Sequence, residues 1–410
     1  MKNRSAVLLL LLSNTVSGIA QGISMIAIPW YFAQADDMSR FGMIYMLTTA
    51  LALFWSPYSG TLVDRFDRKH IFLGLTAIAG TLVAAIAALG FLWGMLPWFL
   101  VAAVFTITFL DYNLHYPCVY AFLQEISEPQ HYGRMTSYIE VQGQLTTIMA
   151  GGCAAILLEG AANFRAWTIQ EIFLLDAVTY FLALLIIAFI RYVPIQNRTP
   201  DKGSVISQLK IGVQYLRANP TITLFGIASY SVFAVTLLTN FYLIANYVSK
   251  HLQESGDVYA LAEVFYSVGA VFAGVAIRRV FAWTNIPNSI AVMTGICAIL
   301  LAVLFATQAV YVLYACLILL GITNAGIRIQ RTTFLFKHVP NQVYGRATSA
   351  FFLTNISFRI FFLAMFSLAF FQVANNVIYA FAMLSVFLFL TLGVLWKYQG
   401  AFVALEKEKS

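Results

Sequence analysis

Apolar residues along this chain occur in long uninterrupted runs that short polar segments separate. The runs do not alternate with polar residues, which favours helices and excludes a lipid-facing barrel. About 20 apolar residues cross a bilayer as a helix. The pattern therefore predicts twelve spans, over residues 6–33, 41–63, 71–94, 97–124, 135–159, 168–193, 219–249, 257–281, 287–308, 309–336, 344–372 and 374–397.

One polar stretch is much longer than the others and divides the chain nearly in half. It runs from Pro194 to Asn219, between the sixth and seventh spans, and contains Pro, Gly and several charges. We expect an N-terminal bundle over 1–193, a linker over 194–218 and a C-terminal bundle over 219–410. Residues 204–217 are expected to form an interfacial helix, because apolar and basic side chains share that segment.

The composition of the chain indicates a membrane protein. It has 410 residues, of which 61% are hydrophobic and 10% charged, whereas a soluble domain carries about 25% charged residues. The basic residues indicate orientation. With the N-terminus inside, 18 of the 24 Lys and Arg lie on the inner side. This bias predicts cytoplasmic termini for a multi-pass protein of the cell (inner) membrane. Because these residues are spread over many short loops, we expect no nucleic-acid binding.

The N-terminus and the cysteines fit the same class. Met1–Arg4 and the following leucines imitate a secretory signal, but the apolar run continues to Trp30, so a retained first helix is expected. The cysteines lie within apolar spans without CxxC spacing, at positions 118, 153, 297 and 316. We expect neither disulfides, nor a metal site, nor a cofactor. A nucleophile–base cluster and a soluble domain are also missing from the sequence, which argues against an enzyme.

Two similar hexapeptides mark an internal duplication. Tyr132–Ser137 reads YGRMTS, and Tyr344–Ser349, which lies 212 positions later, reads YGRATS. Each follows a proline and precedes an apolar run, before the fifth and eleventh spans. We expect the Gly to make the turn and the Thr-Ser pair to begin the next helix. A repeat at half the chain length that runs in the same direction predicts two parallel repeats.

The loop between spans two and three carries a specific motif, Gly60-Thr-Leu-Val-Asp64-Arg65-Phe-Asp-Arg68-Lys69. It resembles the signature of the major facilitator superfamily. The resemblance implies an all-α membrane protein with twelve transmembrane helices in two pseudo-symmetric six-helix bundles. It also implies a cytoplasmic gate motif, in which Asp64 faces the start of span eleven. The second copy, before Arg279, has Arg278 where the acid would stand.

Residues 173–181, FLLDAVTYF, resemble the start of span six in the macrolide-efflux-like and siderophore-exporter-like branch of that superfamily. This likeness implies a monomeric secondary transporter that works by alternating access. It implies proton-coupled export of a small amphiphilic molecule, such as a drug or a siderophore-like metabolite. Two alternatives stay open: uptake or facilitated diffusion of an anionic solute or metal chelate, and a membrane sensor that does not transport.

Ionisable residues within spans are costly, so the retained ones are functional candidates. Asp111 and His115 lie one turn apart on one face of span four, where they could share a proton or form a structural bridge. Glu140 and Glu263 are further candidates for proton coupling. Asp176, near one end of span six, is expected to be structural.

Spans one, four, seven and ten line the central cavity in this superfamily, which suggests substrate contacts. Arg328 and Arg331 in span ten and Arg359 in span eleven suit a carboxylate or phosphate. Arg331 could instead extend to the membrane surface, which makes Arg328 the stronger candidate. The uncharged candidates for substrate binding are Asn14, Gln21, Asn113, Tyr116, Asn240 and Asn324.

Overall fold

A computed structural model of the protein describes residues 4–126, 132–160, 164–191, 205–373 and 375–407. At helical positions 56–61, 63–65, 124, 132–134, 136–137, 140, 205–206, 208–209, 278 and 341–342 it describes the backbone alone. The described chain is built from helices, with no strand among these residues. The predicted fold class, all-α, is confirmed.

The first half of the chain forms six long helices, in the order in which the hydropathy pattern predicts them. They are α1 (Arg4–Gln34), α2 (Met38–Arg65), α3 (Arg68–Trp93), α4 (Trp98–Ile126), α5 (Tyr132–Glu159) and α6 (Ile169–Ala188).

The second half begins with a short amphipathic helix, α7 (Val205–Ala218), at the place predicted for an interfacial helix. The helices that follow are α8 (Pro220–Leu252), α9 (Gly256–Val280), α10 (Ile286–Ala306), α11 (Val310–His338), α12 (Asn341–Phe366), α13 (Ala369–Gln372), α14 (Val377–Lys397) and α15 (Gln399–Lys407). The eleventh predicted span, 344–372, is broken in the structure, because α12 ends at Phe366 and α13 follows after two residues.

Eleven helices in the described chain are long and apolar enough to cross a membrane: α1, α3 to α6, α8 to α12 and α14. The 28-residue α2 covers the remaining predicted span.

The helices form two compact units. One contains residues 1–201 together with 255–264, and the other contains residues 202–254 and 265–410. The first turns of α9 thus group with the first unit. Within the first unit, α1 packs against α4, α5 and α6, and α6 packs against α3.

The second unit contains a close helix crossing between α9 and α11. A Cβ atom at Gly269 would lie 2.0 Å from the Ile318 carbonyl oxygen, and one at Gly321 would lie 2.0 Å from the Tyr266 carbonyl oxygen. Each glycine therefore accommodates the backbone of the other helix. Small residues allow such close approach between helices in membranes. Van der Waals packing drives helix association there, because the hydrophobic effect does not act between helices in lipid.

Helix α8 is irregular in its second half. Two π-helical turns, Thr239–Leu243 and Tyr247–Leu252, flank a single α-helical turn, and the helix ends at Gln253, where φ is +56°. π-helical turns inside α-helices are rare and are often found at functional sites. They turn successive side chains to new directions, and Asn240 lies in the first of them.

The prediction that the hexapeptide glycines make turns is wrong. Gly133 and Gly345 lie in the first turns of α5 and α12, and neither has a positive φ. In the second copy the change of direction comes earlier, because Pro340 is the N-cap and α12 begins at Asn341. Thr348 and Ser349 do not cap this helix, since their hydroxyls donate back to carbonyls within it.

Candidate functional site

A polar network connects α1, α4 and α5 inside the first unit. The Asn14 Nδ2 donates to Gln142 Oε1 at 2.7 Å, and Gln142 Nε2 donates to Thr146 Oγ1 at 2.9 Å. His115 Nε2 forms a short hydrogen bond with Asn14 Oδ1. The imidazole packs edge-on against Phe72, with ring centroids 4.8 Å apart. Polar groups in a membrane bundle need partners inside the protein, and this network supplies them.

A second polar group lies two turns further along α1. Gln21 Nε2 donates to Asp111 Oδ2 at 3.2 Å and to the Tyr180 hydroxyl at 3.0 Å. The Asp111 side chain is buried, and its Oδ1 atom has no hydrogen-bond partner among the described residues. Asp176, one turn before Tyr180 on α6, is fully buried and interacts electrostatically with Asp111.

The predicted proton-coupling pair, Asp111 and His115, is joined through α1. Both lie on one face of α4, but Asp111 is hydrogen-bonded to Gln21 and His115 to Asn14. A proton gained or lost by either residue would therefore change how α4 holds α1. Glu263 is half-buried on α9 and interacts electrostatically with Tyr259. The side chain of Glu140 lies outside the described part.

Two other predicted residues of α4 have local contacts. The Asn113 Nδ2 donates to the Phe109 carbonyl at 2.7 Å, one turn back on the same helix. Tyr116 belongs to a row of three tyrosines, with its ring centroid 4.5 Å from that of Tyr112 and 6.4 Å from that of Tyr120. The tyrosine row gives this face of α4 an aromatic surface.

In the second unit, Arg331 is the buried member of the span-ten pair. Its side chain is 5% exposed, its Nη1 donates to the Ser229 carbonyl at 3.1 Å, and its guanidinium lies 3.7 Å from the centroid of the Tyr230 ring. Arg328 is exposed. The structure thus reverses the expectation that Arg331 extends to the surface, because Tyr230 and Ser229 hold the guanidinium inside the bundle.

The remaining candidates of the second unit are also buried. Arg359 on α12 is 4% exposed. The Asn324 Nδ2 donates to the Tyr266 hydroxyl at 2.7 Å. Asn240, in the π-helical turn of α8, has an Oδ1 atom without a hydrogen-bond partner in the described part of the chain.

The described residues of the gate motif fasten three helices of the first unit. Arg68 Nη1 donates to the Ala121 carbonyl at 2.6 Å and to Glu125 Oε2 at 3.2 Å, near the end of α4. Lys69 Nζ donates to the Ala188 and Ile190 carbonyls at 2.8 Å each, at the end of α6. Cations at helix C-termini are favourable because the last carbonyls lack partners. The Gly60, Asp64 and Arg65 side chains lie outside the described residues.

One cavity in the first unit is lined mostly by apolar side chains, unlike the polar groups described above. Its volume is about 440 Å³, and apolar side chains of α1, α5 and α6 line it, together with Cys153 and Thr179. None of the predicted site residues lines it. Among the described residues, no group of three or more His, Cys, Asp or Glu side chains could hold a metal ion.

Sequence reasoning missed several partners of the buried acids. Ser24, Thr108 and Tyr180 lie against Asp111 or Asp176, and each is spaced one turn from an already suspected residue on its own helix. That spacing was the available signal. Hydroxyl groups are common in membrane helices, however, so the spacing alone did not single them out.

Comparison with known proteins gives one family. The model of the Major Facilitator Superfamily matches residues 10–362. The uncharacterized MFS-type transporter YfiS of Bacillus subtilis is 25% identical over 53% of this chain and 51% of its own length. Macrolide efflux protein A of Streptococcus pyogenes is 24% identical over 50% of this chain and 49% of its own length. The chain therefore spans about half the length of these curated relatives.

Among solved structures, the crystal structure of nucleoside transporter NupG has a similar fold. It superposes with a TM-score of 0.72, covering 98% of this chain and 99% of its own, at 14% sequence identity. At that identity the similarity concerns the fold alone.

Proposed function

Since the chain belongs to the major facilitator superfamily and is a multi-pass membrane transporter, we propose that it exports a small amphiphilic molecule in exchange for protons. The observation that carries the proposal is the buried acid Asp111, which Gln21 binds inside the first unit. A buried carboxyl in a membrane bundle is costly, and those that are retained mark functional positions. Reversible protonation is the simplest function for such a carboxyl.

The proposed coupling acts through α1. An ionised Asp111 is a strong acceptor for the Gln21 amide, and protonation weakens that charge-assisted hydrogen bond. His115 makes the parallel contact to Asn14 two turns away. Proton uptake would therefore loosen α1 from α4, and the superfamily works by rocking of two halves about a midplane site. Glu140 and Glu263 are proposed as further proton carriers.

Export is favoured by the similarity to macrolide efflux protein A, although that similarity covers half of the chain. The tyrosine row on α4 and the half-buried amides of α1 offer the mixed aromatic and polar surface that an amphiphilic substrate needs. We further propose cytoplasmic termini and insertion in the cell (inner) membrane, on the distribution of basic residues. A monomer with bundles over 1–193 and 219–410 is the corresponding assembly.

A second candidate is transport of an anionic solute, and Arg331 favours it. Its contacts among the described residues are a carbonyl and aromatic faces, with no ion pair to a carboxylate. A buried guanidinium without a counter-ion suits a ligand that brings its own negative charge. Arg328 and Arg359 would contribute charge to the same unit.

Proteoliposomes with a trapped pH-sensitive dye test both candidates. A macrolide antibiotic and ethidium serve as amphiphilic probes, and a catecholate siderophore serves as the anionic probe. Proton-coupled export predicts that an amphiphilic probe moves protons in the wild type, that Asp111→Asn abolishes this movement, and that the matched control Asp37→Asn retains it. Unchanged coupling in Asp111→Asn would refute the role of this residue. Movement of the siderophore alone, lost in Arg331→Met, would replace the first candidate with the second.

A further inference from the structure

Three helices of the first unit bring oxygen-bearing side chains to one buried place. Each of α1, α4 and α6 contributes two residues spaced by one helical turn, so that both side chains lie on the same face. The six residues are Gln21, Ser24, Thr108, Asp111, Asp176 and Tyr180. We call them the oxygen cluster.

The oxygen cluster contains acceptors that the protein itself does not satisfy. Five oxygen atoms form no hydrogen bond of good geometry in the described part of the chain: Asp111 Oδ1, both carboxyl oxygens of Asp176, Ser24 Oγ and Thr108 Oγ1. Ser24 lies within reach of Asp176, and Thr108 within reach of Tyr180. Asp111 is 8% exposed, Thr108 2%, and Ser24 and Asp176 are fully buried. Buried polar groups are nearly always paired, so five such oxygens together point to a missing partner.

Charge leads to the same conclusion. Asp111 and Asp176 interact with each other electrostatically, and two buried carboxylates repel unless something neutralises them. Across the residues that the structure describes, neither forms an ion pair with Lys or Arg. The nearest ionisable side chain on α4, His115, is hydrogen-bonded to Asn14 instead. Neutralising both carboxylates therefore requires protons or a cation from outside the chain.

We propose that the oxygen cluster binds a sodium ion. A proton would satisfy only one or two of the five unpaired oxygens, whereas a metal ion accepts several oxygen ligands at once. Ca²⁺ takes 6–8 oxygens and Mg²⁺ retains several waters, which is more than five unpaired oxygens in a buried site supply.

This inference contradicts the expectation of no metal site and deepens the proposed function, because Asp111 serves both. It gives Asp176, expected to be structural, the role of an ion ligand. A sodium ion and a proton would then compete for Asp111, since protonation removes one of its ligating charges. Sodium binding is nevertheless measurable without transport, so it can fail while proton-coupled export stands, and the reverse also holds.

The test uses the purified full-length chain in detergent at pH 8. Binding of radioactive ²²Na⁺ is measured by scintillation proximity, and the thermal midpoint is measured in NaCl, KCl or choline chloride at equal ionic strength. The wild type should bind ²²Na⁺ saturably, and only NaCl should raise its midpoint. Asp176→Asn and Asp111→Asn should each weaken binding at least tenfold, whereas the matched control Asp37→Asn should bind like the wild type.

Three results would overturn the proposal. Equal stabilisation by all three salts would show an effect of ionic strength alone. Unaltered ²²Na⁺ binding in both cluster variants would place any sodium site elsewhere. A midpoint that depends on pH, without ²²Na⁺ binding, would make the pair a proton site. If Asp176→Asn does not fold, Ser24→Ala removes one neutral ligand, and it should bind ²²Na⁺ more weakly while its midpoint in choline chloride stays near that of the wild type.

Discussion

The close crossing of α9 and α11 gives a sharp prediction about stability. A methyl group at Gly321 would lie 2.0 Å from the Tyr266 carbonyl oxygen, and one at Gly269 would lie 2.0 Å from that of Ile318. Ordinary contact begins near 3.4 Å. The obstructing atoms belong to helix backbones, which cannot move aside as a flexible side chain does. Gly321→Ala must therefore push the two helices apart.

The size of the effect follows from two opposing terms. Overpacking of a well-packed interior costs about 1–3 kcal/mol, and separation by roughly 1 Å also removes up to about half of the dispersion energy of each contact. Alanine in a helix gains about 1 kcal/mol over glycine. Gly274 on α9 has no atom within 4 Å of a built Cβ, so Gly274→Ala receives the gain without the clash. Because both variants gain this helix propensity, the gain cancels in the comparison, and we expect Gly321→Ala to be about 1–3 kcal/mol less stable than this control.

The measurement is thermal unfolding of the purified chain in detergent, followed by tryptophan fluorescence and by loss of the monodisperse peak. The order of midpoints should be Gly274→Ala at or above the wild type, and Gly321→Ala well below both. The double variant Gly269→Ala with Gly321→Ala should cost less than the sum of its parts, because one separation of the helices relieves both clashes. A midpoint of Gly321→Ala equal to that of the control would refute the close crossing.

Three further predictions concern polar groups. Arg331→Met should raise the thermal midpoint, because an aliphatic side chain fills a similar volume without a buried charge; a fall of the midpoint below that of Arg331→Lys would contradict this. Asn14→Ala should cost about 1–3 kcal/mol by removing the hydrogen bonds of His115 Nε2 and Gln142 Oε1 to Asn14, and a chemical-denaturation midpoint equal to that of Asn14→Asp would argue against the network. Glu171→Gln should change the midpoint little, since Arg165 is 67% exposed, exposed pairs contribute about 0–1 kcal/mol, and glutamine can still accept from Thr168 in the capping box of α6; a large loss would show that the ion pair itself holds the start of α6.

The sequence could predict the elements because their signals are local. Continuous apolar runs gave the spans and their order, and amphipathic spacing gave α7. The prediction for the hexapeptides failed at the level of one turn. Gly favours turns, but the chain already changes direction at Pro340, which is the N-cap of α12. Gly345 therefore lies inside the helix. Boundaries depend on which of several nearby signals prevails, and a single residue rarely decides that.

The contacts between buried polar groups could not be predicted from local signals. The sequence by itself determined that Asp111, His115, Arg331 and Asp176 lie within a membrane, because the runs around them are apolar. Only the tertiary structure decided that Gln21 lies against Asp111, that Arg331 is buried beside Tyr230, and that Asp176 faces the same cluster as Asp111. The physical reason is that hydropathy fixes the depth of a residue in the bilayer, whereas its partners depend on how each helix is rotated about its axis and where it crosses its neighbours.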